Sequence, residues 1–144
     1  GAGPLEEEVK KEWRELDLQN VVFFPGLKTD VKPYFEAMDI FMMSSSFEGL
    51  PISLMEAMSM ECAVVSTDAG GIKEVIRDNE DGLICAVENW IKLSDMVQVL
   101  IDEPEMLEKY KKAARKRVQE SFSMKRMVAE LEEHYFELLE NKNK

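Results

Sequence analysis

Apolar positions along this chain switch repeatedly between a helical and a strand-like period. Leu5, Val9, Trp13 and Leu16 recur at spacings of four, four and three, the stripe of one helical face. Pro4 suits a first helical position. The next run, Asn20–Gly26 (NVVFFPG), is continuous, β-branched and aromatic, and is stopped by Pro-Gly. It predicts a strand buried on both faces, as parallel strands are. A short helix is expected over Asp30–Met38 and a second buried strand over Asp39–Ser45. A helix follows over Pro51–Met60, a third strand over Cys62–Thr67, a short helix over Gly70–Ile76 and a fourth strand over Asp81–Val87. From there the period is helical: Trp90–Ile101, Pro104–Phe122 and a last helix with Ser123 as its N-cap. Strands alternating with helices through short connections predict an α/β domain with a mostly parallel sheet and right-handed crossovers. No repeat or linker interrupts it, so residues 1–144 are expected to form a single domain.

Composition narrows the function. The chain has 144 residues, of which 45% are hydrophobic and 33% charged, enough for a packed core. With 29 acidic and 18 basic residues the formal net charge is −11. Such a field repels nucleic acid, so no nucleic-acid partner is expected; backbone N–H groups can still hold a small anion. Cys62 and Cys85 form no CxxC or Cys/His cluster and read as buried, reduced thiols, which favours a cytoplasmic location. The single histidine, His134, excludes a zinc-type site and a Ser-His-Asp triad built from this chain. No run is apolar enough to span a membrane and no signal peptide is recognisable. The basic run Glu108–Arg117 (EKYKKAARKR) reads as a solvated helix face, with peripheral contact to anionic lipid left open.

Ligands of open α/β sheets bind beyond the carboxyl ends of the strands. The turns PGLKTD, SSSFEGLP and TDAGG are expected there. The second leads through Gly49 and Pro51 into a helix, whose N-terminus offers free N–H groups and partial positive charge to an oxyanion or diphosphate. Gly49 permits close backbone approach, and many such turns carry glycine for steric reasons alone. Glu56 admits two readings: a place on the exposed helical stripe, or a place facing the crevice, where its two oxygens could accept from a vicinal diol such as ribose. As a glycosidase pair, Glu48 and Glu56 would have to sit about 5–5.5 Å or 6.5–9.5 Å apart. The helix from Pro51 to Glu56 alone rises about 7.5 Å, which favours contacts to different parts of one extended ligand.

FEGLPISLMEAM, with Glu48 and Glu56 separated by seven residues, resembles the E-x7-E motif of GT-B-type retaining glycosyltransferases. It is most similar to the large nucleotide-sugar-dependent family four, or group 1, glycosyltransferases. GAGPLEEEVKKEW, NVVFFPGLKTDVKPYFEAMDIFMMSS, AVVSTDAGGIKEVI, DGLICAV and SFSMKRMVAELEEHYFELL follow the order of that family's C-terminal, donor-binding domain. The resemblance implies a Rossmann-like fold with a helical C-terminus, and glycosyl transfer with retention from a nucleotide-diphosphate sugar. It further implies that Glu48 meets the transferred sugar and acts in catalysis, that Gly49, Leu50, Pro51 and Ile52 meet the sugar and diphosphate, that Glu56 binds the ribose diol, and that Gly26, Leu27 and Lys28 lie near the nucleobase. No metal or cofactor is implied. The implied partners are the nucleotide sugar and a sugar or lipid-linked acceptor bound by an N-terminal domain.

Three departures from the family pattern carry expectations. The family's diphosphate-neutralising Arg and Lys, on an opening strand and helix, have no match, so this polypeptide alone is expected to be inactive for want of electrostatic stabilisation. Glu61 stands where the family has a helix-ending glycine and must take a left-handed conformation or end the helix otherwise. Apolar strand edges are expected to pair the first two strands directly or to recruit another copy into a homo-oligomer. Two further readings remain at this point: an epimerase acting on a nucleotide sugar in the same overall fold, and a non-catalytic nucleotide-sugar-binding or interaction domain.

Overall fold

The computed structural model describes residues 3–142. The chain divides into two compact units, one ending at Tyr34 and one beginning at Phe35.

The smaller unit is built on α1 (Glu6–Glu15). Its first turn carries Glu6, Glu7 and Glu8, which complement the positive end of the helix dipole, and Lys10 pairs with Glu6 at 2.6 Å. The strand expected over Asn20–Gly26 is not formed. A strand needs a neighbour for its N–H and C=O groups, and among the described residues of this unit there is none. The amides of Val21 and Val22 instead turn back onto Leu18 O at 3.1 and 2.8 Å. Trp13 Nε1–H donates to Val22 O at 3.0 Å, and the Trp13 and Phe24 rings meet edge-on, 5.5 Å between centroids. The expected direct pairing of the first two strands is therefore absent too. Gly26 has a φ of 73°, a left-handed conformation that glycine adopts without strain.

The larger unit is the α/β body. α2 (Lys32–Glu36) contributes Phe35 to its core. The sheet holds β1 (Ile40–Met43), β2 (Ala63–Thr67) and β3 (Leu83–Cys85), all parallel in that order. Ile40 lies opposite Ala63, and Val65 opposite Leu83. β2 is central and wholly buried. Its side chains alternate between two core layers, as a strand requires. Val64 joins Leu54, Met58, Ile72 and Val75 on one face; Ala63 and Val65 join Leu93, Met96, Leu100 and Tyr110 on the other. The helices between and after the strands are α3 (Ile52–Ser59), α4 (Ile72–Val75), α5 (Trp90–Asp102), α6 (Pro104–Ser121) and α7 (Met124–Lys142). Pro104 opens α6, and Ser123 Oγ accepts the Arg126 amide at 3.3 Å at the start of α7. No helix among the described residues is long and apolar enough to cross a membrane.

Local rules explain the joints. Glu61 does take the left-handed conformation, with φ of 61°. Cys62 N–H reaches Ala57 O at 3.0 Å and Glu61 N–H reaches Met58 O at 3.1 Å, the paired bonds of a Schellman ending. Arg115 lies 3.4 Å from the Glu61 carboxylate. Ahead of β3, the fully buried Asp81 accepts both the Arg77 amide, at 2.7 Å, and Arg77 Nε–H, at 2.6 Å. Both cysteines are free and buried, and burial pushes the Cys62 thiol up from its ordinary pKa.

Candidate functional site

The loops that follow β1 and β2 at their carboxyl ends lock onto each other. Thr67, the last residue of β2, donates its Oγ1–H to Ser45 O at 2.6 Å. Ser45 Oγ–H donates in turn to Glu48 Oε1 at 2.6 Å, which fixes a half-buried carboxylate at the loop's edge. Gly71 N–H donates to Gly49 O at 3.1 Å, with a longer approach to Glu48 O at 3.4 Å. The contact leaves no room for a side chain. A Cβ on Gly70 would lie 1.9 Å from Glu48 O, and one on Gly71 would lie 2.2 Å from Gly49 O. Gly70 also has a φ of 56°. Glycine is thus demanded twice at that position, by space and by backbone conformation. Asp68, at the start of the same loop, holds Lys73 of α4 in an ion pair.

The Glu48–Gly49 segment runs directly into α3. Pro51 is buried and sits at the N-cap in an extended conformation. No side chain caps the helix, so its first-turn amides keep the anion-attracting character of a helix N-terminus. Leu54, Ala57 and Met58 face the core, while Ile52, Ser53 and Glu56 lie on the exposed side. Glu56 is therefore exposed, one turn along from Ile52; the apolar residues beside it in sequence point the other way. A Cβ on Gly49 would meet no heavy atom within 4 Å, so packing within the chain does not demand glycine there.

Of the residues singled out from sequence, Glu48, Gly49, Leu50, Pro51 and Ile52 form one continuous ledge and Glu56 stands on the helix it leads into. Gly26, Leu27 and Lys28 are exposed and belong to the smaller unit. Sequence reasoning placed the turns that hold Ser45, Thr67, Gly70 and Gly71 at the crevice but missed the part these four residues play as supports of the ledge. The adjacent glycines after a buried strand were the available signal. The Thr67 hydroxyl carried none, because its partner is a backbone carbonyl on another segment, whereas the Ser45 hydroxyl meets a carboxylate only three residues on. A separate cleft of about 400 Å³ lies at the outer side of β3, lined by Asp78, Lys92, Asp95, Met96 and Tyr110 among others, and includes none of these loop residues.

Comparison with known proteins gives a consistent picture. The family model described as "Glycosyl transferases group 1" matches residues 1–117. The chain is 31% identical, over 107 residues covering 74% of it and 30% of the relative, to an uncharacterized glycosyltransferase of Haemophilus influenzae. It is 30% identical, over 81% of its length and 32% of the relative, to the N-acetylgalactosamine-N,N'-diacetylbacillosaminyl-diphospho-undecaprenol 4-alpha-N-acetylgalactosaminyltransferase of Campylobacter jejuni. It spans about a third of the length of these relatives. Among solved structures, a glycosyltransferase from Rickettsia africae superposes with a TM-score of 0.86 at 26% identity, covering 94% of this chain and 36% of that one. Anabaena Alr3699/HepE, solved in complex with UDP, superposes with a TM-score of 0.87 at 20% identity, covering 91% and 36%.

Proposed function

The chain belongs to the group 1 glycosyl transferases, and on that premise we propose that it forms the part of a retaining glycosyltransferase that binds the nucleotide-diphosphate sugar. The observation that carries this reading is the locked ledge. The Glu48–Gly49 backbone is pinned by Gly70 and Gly71, the Glu48 carboxylate is oriented by Ser45, and an uncapped helix start follows immediately. In this reading Glu48 accepts hydrogen bonds from hydroxyls of the transferred sugar and serves catalysis. The backbone of Gly49, Leu50 and Ile52, with Pro51 fixing the turn, meets the sugar and the diphosphate at the positive end of α3. Glu56 accepts the ribose diol, and Gly26, Leu27 and Lys28 serve the nucleobase. The open space around Gly49 supports it, since the one glycine of the ledge that packing does not explain is the one the diphosphate would approach. The UDP carried by the Anabaena protein of the same fold supports a nucleotide ligand. The acceptor belongs to a part of the protein outside this chain, and no metal enters this reading.

Titration calorimetry with UDP and with UDP-glucose separates the two carboxylates. Glu56→Ala is expected to weaken both ligands about ten- to a hundredfold, the loss of charged hydrogen bonds worth about 1.5–3 kcal/mol. Glu48→Ala is expected to weaken UDP-glucose and leave UDP unchanged. Equal affinity for UDP in wild type and Glu56→Ala removes the ribose role.

A further inference from the structure

The basic run Glu108–Arg117 is largely answered within the chain. Lys111 meets Asp39 and Glu108, Arg115 meets Glu61 and Lys116 meets Glu120. Arg117 is different. Its guanidinium turns to backbone: Nε–H donates to Val75 O at 3.1 Å and Nη2–H to Glu74 O at 2.9 Å. Nη1–H donates to Ser121 Oγ at 2.8 Å, and the Phe122 ring lies under the guanidinium at 5.3 Å. The two carbonyls are the last of α4, groups that a helix end leaves without an internal partner.

α4 is a single turn, and its N-cap is Gly71, the residue whose N–H holds Gly49 O. Ile72 and Val75 are fully buried and anchor the turn to the core. One short body thus carries Arg117's contacts at its carboxyl end and the Glu48–Gly49 ledge at its amino end. Resting on the donor-binding reading above, we propose that Arg117 is a positioning residue for that ledge. By satisfying both terminal carbonyls it holds α4 as a helical turn, and through Gly70 and Gly71, in the loop after β2, it sets where Glu48 and Gly49 stand in the loop after β1. A four-residue helix has no stability of its own. Once its end carbonyls turn to water, the close glycine contact has nothing to press against. Lysine keeps the charge but lacks the planar fork that serves two carbonyls at once.

The test pairs amide hydrogen exchange with titration by UDP, UDP-glucose and GDP-mannose. It uses wild type, Arg117→Met, Arg117→Lys, Lys116→Ala and Leu100→Val. Leu100 lies in the opposite core layer from Ile72 and Val75 of α4 and supplies a packing loss outside their cluster. In Arg117→Met, exchange of the Gly71 amide should rise about tenfold relative to Val65, and affinity for the ligand that wild type binds should fall about tenfold, the worth of roughly one hydrogen bond to a charged group. Arg117→Lys should be intermediate, and it carries the test if Arg117→Met does not fold. Lys116→Ala should match wild type. Leu100→Val should lower the melting temperature without changing affinity. Unchanged Gly71 exchange in both Arg117 variants overturns the clamp. Faster exchange with unchanged affinity overturns its role in positioning. If wild type binds none of the three ligands, the donor reading itself fails, and the exchange data then show only whether the mechanical link exists.

Discussion

The smaller unit's Asn20–Gly26 and the larger unit's Cys62–Thr67 are both unbroken runs rich in valine, the first with two phenylalanines. In the second run Val64 and Val65 are fully buried, whereas Phe23 of the first is 75% exposed. Val65 has a parallel partner on either side, Met42 and Leu83, and helices cover both faces of its sheet. The first run has one helix beside it, and its backbone bonds go to Leu18 and Trp13 instead of a ladder. A strand is a relation between segments, and β propensity describes fitness for a pleated, half-buried surface that other segments must supply.

Aspartate substitutions test this contrast most strongly. Val64→Asp places a carboxylate between two apolar layers and should cost several kcal/mol, a large share of a typical stability of about 5–15 kcal/mol. Phe23→Asp should stay within about 0.5 kcal/mol. Urea denaturation of both variants checks the pair. A comparable loss from Phe23→Asp would mean that the first run is packed in solution and that the contrast fails.

The next test moves to the ledge, where two glycines differ as sharply as the two runs do. Gly70→Ala forces a Cβ to within 1.9 Å of Glu48 O at a left-handed backbone position. It should destabilise by about 2–4 kcal/mol and weaken donor binding with it. Gly49→Ala meets open space and should cost less than about 1 kcal/mol in stability while still impairing binding of the diphosphate. Thermal melts beside calorimetry separate a packing requirement at Gly70 from a ligand requirement at Gly49; full affinity in Gly49→Ala would count against the proposed diphosphate contact.

The smallest effect belongs to Glu61. Relieving its left-handed strain with Glu61→Gly should stabilise by about 1 kcal/mol. Loss of the half-exposed pair with Arg115 offsets at most about 1 kcal/mol of that. A chemical denaturation midpoint that falls instead of holding or rising would show that the Arg115 contact outweighs the strain.

Legibility in the sequence followed the range of each interaction. The helix–strand alternation of the larger unit was readable because periodicity is a local property. The left-handed option at Glu61 followed from the resemblance to a family with glycine there, whereas Pro104 and Ser123 were readable because capping acts within a turn. Glu48, Gly49 and the start of α3 were placed correctly at the end of β1 for the same reason. Glu56 was not settled by its neighbours, since apolar residues adjacent to it in sequence lie on the opposite face of α3. The hydroxyl of Thr67 and the guanidinium of Arg117 gave no local sign of their roles, since their partners are 22 and 42 residues away.

By itself the sequence determined the family, the α/β alternation, the seven-residue separation of Glu48 and Glu56 and the net negative charge of the chain. These rest on residue type and short spacings, which a chain carries whether folded or not. The tertiary structure alone decided that β2 is central while Asn20–Gly26 joins no sheet. It also decided that Gly70 and Gly71 carry the Glu48–Gly49 ledge and that Arg117 reaches the far end of α4. Each of those depends on which distant backbone groups come within hydrogen-bonding or van der Waals distance, and only folding brings them there.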